Sequence, residues 1–496
     1  MKQIVITKQP TYTGVCVVED KKPVEFWVER NSIERLVGNI YYGKVMNVLP
    51  GMESAFVNIG LERNAFLYAG DMLECEEAKN HTNNQLNVKV GDEILVQVVK
   101  DQFGNKGARI SMNISIAGRG LVLMPQVDYI GVSRKIVDDN LKEQLVSYVD
   151  SIRKKGHGYI IRTQAQSCTK EELYQETIEL EERWEFIQQS RLNHSAPALI
   201  YKDQSLAQRA VRDMLRVDVE EIIMDDEKLL SELKMAFPHV HKSRPNLFKY
   251  FDKPDQDLFD YYGLRKEIEG LLDKKVVLEN GAYLVIDRTE ALTVIDVNTG
   301  KYVGEKDLSQ TLFETNMIAA VEIARQLRLR NIGGIIVVDF IDMDKKEQID
   351  EVMKVLQTEL NKDRIKTSLI DMTPLGLVEI TRKKTSSMID SIMLQPCPYC
   401  DGDGFVESDE HVVAKIKTDL NFIFKNPKTT TAVVYLSLKV FNRIFAYRLL
   451  EKECAKEWKD KRIYLVPDEN KHIEKYEIQG FSASIIDLPD NARLLF

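Results

Sequence analysis

Two aspartates set at the ends of apolar runs offer the clearest chemistry in this chain. Leu292-Thr293-Val294-Ile295-Asp296-Val297-Asn298 is an apolar stretch that runs into Thr299-Gly300. Its pattern predicts a strand, and a period of two sends Asp296 and Asn298 to the same side. Downstream, Gly333 and Gly334 lead into Ile335-Ile336-Val337-Val338-Asp339, a second buried-strand pattern with Asp339 at its C-terminal end. Open α/β sheets place ligands beyond the carboxyl ends of their strands. The intervening segment reads as a helix capped near Asp307 or Ser309, with Phe313, Met317, Ala320, Ala324 and Leu327 on one face, stopping at 331–334. A right-handed crossover of this length lets the two strands be neighbours. Two carboxylates and an amide oxygen then meet at one sheet edge. Mg²⁺ takes such hard oxygen ligands and keeps several waters. Held there, it polarises a phosphodiester and lowers the pKa of an attacking water. A single polar residue at a strand end is ordinary, but three donors converging across one crossover favour a metal. Asp342 stands either as an outer ligand or as a solvent-facing residue.

A second signal lies near the N-terminus. In Ser54-Ala55-Phe56-Val57-Asn58-Ile59, alternation puts Ala55, Val57 and Ile59 on one face and Phe56 on the other. The next run repeats it, with Ala65 and Leu67 inward and Phe66 beside Asn64 and Tyr68. Two phenylalanines on the polar side of adjacent strands form a stacking platform for bases, unless a neighbouring domain buries them. Lys106, in the turn Gly104-Asn105-Lys106-Gly107, adds a phosphate contact. Short strands with glycine turns over this length suit an OB-fold. A third signal is Cys397-Pro398-Tyr399-Cys400, followed by Asp401-Gly402-Asp403-Gly404. Structural zinc takes four ligands, often two Cys-x-x-Cys units, and this chain has one. The simplest completion borrows the same pair from a second copy across a two-fold axis. A redox pair or an incidental spacing are the other readings.

The elements that must position these residues fill 496 positions, too many for one core. The predicted order is short alternating strands over 1–36 and a glycine-punctuated strand region over 38–112 with a polar insertion at 80–85. Strands alternating with charged helices, such as 170–188 and 205–219, then run to about 274. A strand–helix–strand–helix stretch over 276–387 implies parallel strands covered by helices. The Cys segment leads into a mixed region with a helix around 412–424 and a strand at 433–438. Hydrophobic content of 44% and charged content of 29% describe a soluble protein. No apolar run approaches the ~20 residues of a membrane span, and no signal peptide is evident. The expectation is a cytoplasmic protein. Net charge of −9 argues against nucleic acid, yet phosphate attraction depends on local clusters. Two basic clusters occur, Arg325/Arg328/Arg330 and Arg382/Lys383/Lys384, each more readily read, taken alone, as a solvated face.

These features, in this order, resemble the ribonuclease E/G family over nearly the whole chain. The most specific segments are 291–300 with Asp296 and Asn298, the run EIARQLRLRNIGGIIVVDFIDM at 322–343, and the Cys-Pro-x-Cys knuckle. Asn105-Lys106-Gly107-Ala108, Gly118 and Leu121-Val122-Leu123-Met124-Pro125 add to it. The resemblance implies an α/β multidomain fold. It comprises an RNase H-like domain (1–37 and 117–275), an inserted OB-fold RNA-binding module (38–116) and a DNase I-like catalytic domain (276–390). A zinc link (391–407) and a small C-terminal α/β domain (408–496) follow. It further implies Mg²⁺-dependent hydrolysis of single-stranded, A/U-rich RNA, leaving a 5′-phosphate and a 3′-hydroxyl, in ribosomal and transfer RNA processing and messenger decay. Asp296 and Asp339 match the family's magnesium carboxylates and Asn298 its supporting amide. Phe56, Phe66 and Lys106 match its RNA-binding surface. Cys397 and Cys400 match a zinc shared between two protomers, whose dimers can pair into tetramers.

The family also has a pocket that senses a 5′-monophosphate. Arg162 and Thr163 match its central pair, Gly118 and Val122 its lining, and Lys366 stands where a further Arg is frequent. Lysine keeps the charge but loses the planar fork, so either sensing is weaker or Arg364 substitutes. The sequence carries no long Arg- and Pro-rich extension of the kind that recruits other decay enzymes, so the expected likeness is to the shorter, ribonuclease G-type members without a degradosome scaffold. Two other functions compete. One is a non-catalytic RNA-binding protein associated with ribosomes; the other is a metal-dependent phosphodiesterase acting on DNA or a small molecule.

Overall fold

The first strand, Lys2–Lys8, is apolar on both faces, and its residues 3–7 are all buried, as befits the middle of a sheet. The computed structural model describes residues 2–71, 88–102, 106–215, 218–253, 255–300, 308–385, 387–482 and 487–495. The insertion at 80–85, the turn residues Gly104 and Asn105, and the candidate cap Asp307 lie outside the described residues. The chain divides into two compact units, Met1–Met393 and Leu394–Phe496.

In the first unit Lys2–Lys8 pairs antiparallel with Tyr12–Glu19, which pairs with Lys22–Arg30. On its other edge it pairs parallel with Val219–Met224, which pairs parallel with Phe248–Tyr250. Everything from 31 to 218 is inserted between the third and fourth strands of this sheet. The helix expected over 205–219 is Leu206–Met214 only. It begins with a capping box, in which Ser205 and Gln208 satisfy each other's backbone N–H groups. The β-branched residues Val219, Ile222 and Ile223 are instead taken into the parallel ladder beside Lys2–Lys8.

The first insert is a closed five-stranded, OB-like barrel. Ile40–Leu49, Ser54–Asn58, Ala65–Tyr68, Arg109–Ser111 and Glu93–Lys100 are neighbours in that order, and Ile40–Leu49 closes the ring on Glu93–Lys100. Val57, Ile59, Leu67 and Ile110 fill it. A four-stranded sheet with the helix Lys170–Leu192 follows, and strand Ala198–Tyr201 returns to pair with the barrel's first strand.

The six-stranded sheet beyond residue 274 runs Lys275–Val277, Tyr283–Arg288, Leu292–Asn298, Gly334–Asp339, Leu377–Arg382, Thr367–Met372. Parallel strands were expected throughout, but only the pair Leu292–Asn298 and Gly334–Asp339 is parallel; the remaining pairs are antiparallel. Three of these antiparallel pairs are hairpins with short connections. The fourth arises because the second helix-bearing connection, through Lys346–Leu360, skips one position to Thr367–Met372, and Leu377–Arg382 turns back into the gap beside Gly334–Asp339. Helices Leu308–Leu329 and Lys346–Leu360 pack on one face, where Ile286, Ile295, Ile336, Val338, Val378 and Ile380 meet Ala320, Ala324, Leu327 and Leu356. The opposite face carries Val294, Asp296, Ile335, Val337, Asp339 and Glu379, each partly or fully exposed.

The second unit is a four-stranded sheet, Tyr476–Phe481, Thr431–Ser437, Arg462–Asp468 and Arg493–Leu494, with helices Asp409–Phe424 and Leu438–Ala446 sharing its core. Among the described residues no helix is long and apolar enough to cross a membrane.

Candidate active site

Parallel pairing brings Asp296 and Asp339 directly opposite each other on neighbouring strands. Both are exposed, while the residues before and after each of them, Ile295, Val297, Val338 and Phe340, are buried beneath the sheet. Alternation thus anchors each strand from below and turns both carboxylates to the uncovered face. Asn298 lies on that face and its Nδ2 donates to Asp296 Oδ2 at 2.7 Å. It therefore presents an N–H to the carboxylate, where an amide oxygen was expected. Asp342 is exposed just past the strand end. Among the described residues no group of three His, Cys, Asp or Glu is gathered for one ion. Two carboxylates, with waters and a substrate phosphate completing the shell, match how Mg²⁺ is commonly bound.

The loop after Asp339 is fixed by a residue that periodicity hid. Asn316, on the buried face of helix Leu308–Leu329, donates from Nδ2 to the Ile341 carbonyl at 2.8 Å and accepts the Ile341 N–H at 3.1 Å. An asparagine inside an apolar stripe was the available signal, and it reads as a backbone clamp only once the loop is in place.

On the barrel, Phe56 and Phe66 are register partners, with ring centroids 5.8 Å apart and planes at 69°. Both rings are half-buried and Lys106 is exposed. Arg109, unnoticed in the sequence, pairs with Phe66 across a parallel bridge and is held by Asp71 at 2.6 Å.

The residues aligned with the phosphate pocket also come together. Arg162 Nη1 donates to the Gly118 carbonyl at 2.5 Å, its backbone N–H to the Gly120 carbonyl at 2.7 Å, and Val122 lies one strand away opposite Ile160. Thr163 Oγ1 bonds Ser133 Oγ at 2.9 Å. Lys135 donates to the Asp363 and Arg364 carbonyls at 2.7 and 2.9 Å, tying the exposed Lys366's loop to that side. Arg364 is committed elsewhere, paired with Glu25 at 3.0 Å and stacked over Trp27. The two basic clusters prove largely internal. Arg328, Arg330 and Arg382 are buried, and Arg325 is paired with Glu322 and Glu267.

Glu176 braces the Gly118–Gly120 turn by accepting the backbone N–H groups of Arg119 and Gly120. Burial pushes its carboxyl up to about 6, against the pull of those two N–H groups. A folded value above the unfolded one means the folded state holds this proton more tightly. The associated stability is complete below the ordinary glutamate value and is lost as pH rises through about 6, an effect of about 2 kcal/mol. Glu176→Gln is expected to flatten the dependence of melting temperature on pH across this window. An unchanged slope would count against the assignment.

In the second unit Cys397 is exposed and Cys400 half-buried, and neither is in a disulfide. Backbone N–H groups of Tyr399 and Cys400, then the Cys400 side chain, hold the Cys397 thiol below the usual range. Gly404 N–H donates to Cys400 Sγ at 3.2 Å. Amide-to-sulfur bonds of this kind favour thiolates, the form that binds zinc.

The chain matches the model of the Ribonuclease E/G family over residues 115–385, which include both aspartates and the Arg162 pocket. Ribonuclease G of Salmonella typhimurium is 37% identical over 444 residues, 88% of this chain and 90% of that protein. Ribonuclease G of Escherichia coli is 37% identical over 445 residues, 88% of this chain and 90% of that protein. Ribonuclease E of Synechocystis sp. is 33% identical over 414 residues, 81% of this chain but 60% of that protein.

Proposed function

The chain belongs to the ribonuclease E/G family, and we propose that it is a cytoplasmic endoribonuclease that cleaves single-stranded, A/U-rich RNA with Mg²⁺. The products carry a 5′-phosphate and a 3′-hydroxyl, and the cellular role is ribosomal and transfer RNA processing and messenger decay. The observation that carries this reading is the lateral contact of Asp296 and Asp339 on an uncovered sheet face. Mg²⁺ held by this pair supplies positive charge to a phosphodiester and makes a water more acidic. Asn298 keeps the Asp296 carboxylate oriented, and Asn316 keeps the chain beyond Asp339 in place. Phe56 and Phe66 stack unpaired bases, with Lys106 on a phosphate.

The strand order 3-2-1-4-5 of the first sheet, antiparallel then parallel, supports an RNase H-like domain over 1–37 and 117–275 around the OB-like insert at 38–116. Residues 276–390 form the DNase I-like catalytic domain, followed by the zinc link (391–407) and the small C-terminal domain (408–496). Gly118, Val122, Arg162, Thr163 and Lys366 receive a 5′-monophosphate that stimulates cleavage. Because Lys366 lacks a planar fork and Arg364 is occupied by Glu25, the pocket depends mainly on Arg162.

The test uses a 5′-monophosphorylated A/U-rich RNA and the matched DNA, with and without Mg²⁺, and maps the ends. RNA cut internally in Mg²⁺ alone, with DNA intact, is expected. Binding without cleavage would leave the ribosome-associated RNA-binding reading, and equal cleavage of DNA the general phosphodiesterase.

Cys397 and Cys400 supply half of a zinc site completed by a second copy, giving a dimer that can pair into a tetramer. Cys397→Ser is therefore expected to lose bound zinc and to shift the mass in sedimentation toward the monomer. A zinc-free variant that keeps the native mass overturns the shared site.

A further inference from the structure

The candidate phosphate pocket contains a carboxylate that none of the expected roles uses. Asp213, in the last turn of helix Leu206–Met214, accepts from Arg162 Nη2 at 2.8 Å and from Arg212 Nε and Nη2 at 3.0 and 3.2 Å. Gln164 donates to its backbone carbonyl. Arg212 extends the set, donating to Gln204 Oε1 at 2.9 Å and to the Ala117 carbonyl at 3.5 Å. Arg162 reaches the next carbonyl, Gly118, from its other terminal nitrogen. One side chain therefore ties together the strand end bearing Arg162 and the turn bearing Gly118. With two acceptors on two different nitrogens, the guanidinium plane is fixed and its remaining N–H groups are left for a ligand. Burial would raise the Asp213 carboxyl, but Arg212 and Arg162 hold it at about 2, so the anchor stays ionised at every working pH.

We propose that Asp213 is the positioning residue of the 5′-phosphate pocket, fixing Arg162 for an incoming 5′-monophosphate and thereby setting the preference for that end. This rests on the 5′-phosphate reading given above. A free arginine pays side-chain entropy on each binding event, whereas an anchored one does not. Arg212, buried on the far side of the same carboxylate, holds Asp213 in place behind Arg162.

The experiment measures kcat and KM on one RNA sequence bearing either a 5′-monophosphate or a 5′-hydroxyl, for the native chain, Arg162→Ala, Asp213→Asn and Asp213→Glu. Melting temperatures are recorded alongside. Loss of one charge-assisted bond corresponds to about a tenfold change. The monophosphate-to-hydroxyl ratio is expected to fall about that much in Asp213→Asn, chiefly through KM, and to recover in part with Glu, whose arm is longer. A merely structural role would weaken cleavage of both RNAs alike and leave the ratio unchanged. If Arg162→Ala loses the preference while Asp213→Asn keeps it, the proposal is overturned. If the native chain shows no preference, the 5′-phosphate reading itself has failed, and this proposal with it. Should Asp213→Asn not fold, Asp213→Ser, which also removes the carboxylate, decides, since a native ratio there is equally fatal.

Discussion

Asp339→Asn is expected to lower Mg²⁺-dependent RNA cleavage by about two to four orders of magnitude while RNA binding survives. A metal at a phosphodiester contributes several kcal/mol of charge stabilisation, and each ~1.4 kcal/mol is tenfold in rate. Asparagine preserves the size of the side chain and the strand beneath it, where Val338 and Phe340 are buried on either side of the exchange. What it removes is one of two negative charges. Asp296→Asn should act alike, with an added local effect, because Asn298 then faces an amide in place of a carboxylate. The double variant should be little worse than either single one, since residues that hold one ion act as a unit. The binding readout comes from the barrel, where Phe56 and Phe66 lie on different strands from either aspartate. Mn²⁺ binding followed by paramagnetic resonance supplies a second readout that does not depend on turnover. A variant that still cleaves at the native rate in Mg²⁺ would show that the adjacent pair is not the reaction centre.

Arg382→Met is expected to cost about 3–5 kcal/mol of stability, the usual consequence of leaving one buried charge uncompensated. Arg382 Nε meets Asp363 Oδ2 at 2.6 Å, and the two side chains are 3% and 4% exposed. The same guanidinium donates to the Ile332 carbonyl at 2.9 Å and to Asn331 Oδ1 at 3.1 Å. Asp363 in turn accepts the Ile365 N–H at 2.8 Å and the Thr367 hydroxyl at 3.2 Å. The pair therefore joins three places: the end of helix Leu308–Leu329, the strand next to the one bearing Asp339, and the loop carrying Lys366. Hydrogen exchange over 331–339 and 363–367, with a thermal melt, checks this. Faster exchange confined to those segments is expected. Unchanged exchange and melting would mean that the pair contributes nothing net. Asp363→Asn in the Arg382→Met background should recover part of the loss by removing the stranded charge.

Which residues alternate and which runs are apolar could be read directly from the order of residue types. Those patterns placed Asp296 and Asn298 on one side, put Asp339 at a strand end and separated the two strands by a crossover helix. Phe56 and Phe66 followed from the same rule of two. Such inferences work because the period of a strand is local, fixed by the backbone and independent of what the strand packs against. The helix Leu206–Met214 shows where that rule stops. The continuation to residue 219 looked helical until Val219–Met224 found a partner more than 200 residues away, in Lys2–Lys8. Arg382 looked like a surface cation and is among the most buried charges, because its carboxylate arrives from another loop. Asp213 and Glu176 were invisible for the same reason, and Asn316 showed only as a polar residue in an apolar stripe. Each acts on backbone or side chains brought to it by the fold, at sequence separations of 25 to 57 residues. Tertiary structure alone decides who meets whom, since the free energy of burying a polar group depends on the partner waiting there and not on its neighbours in the chain.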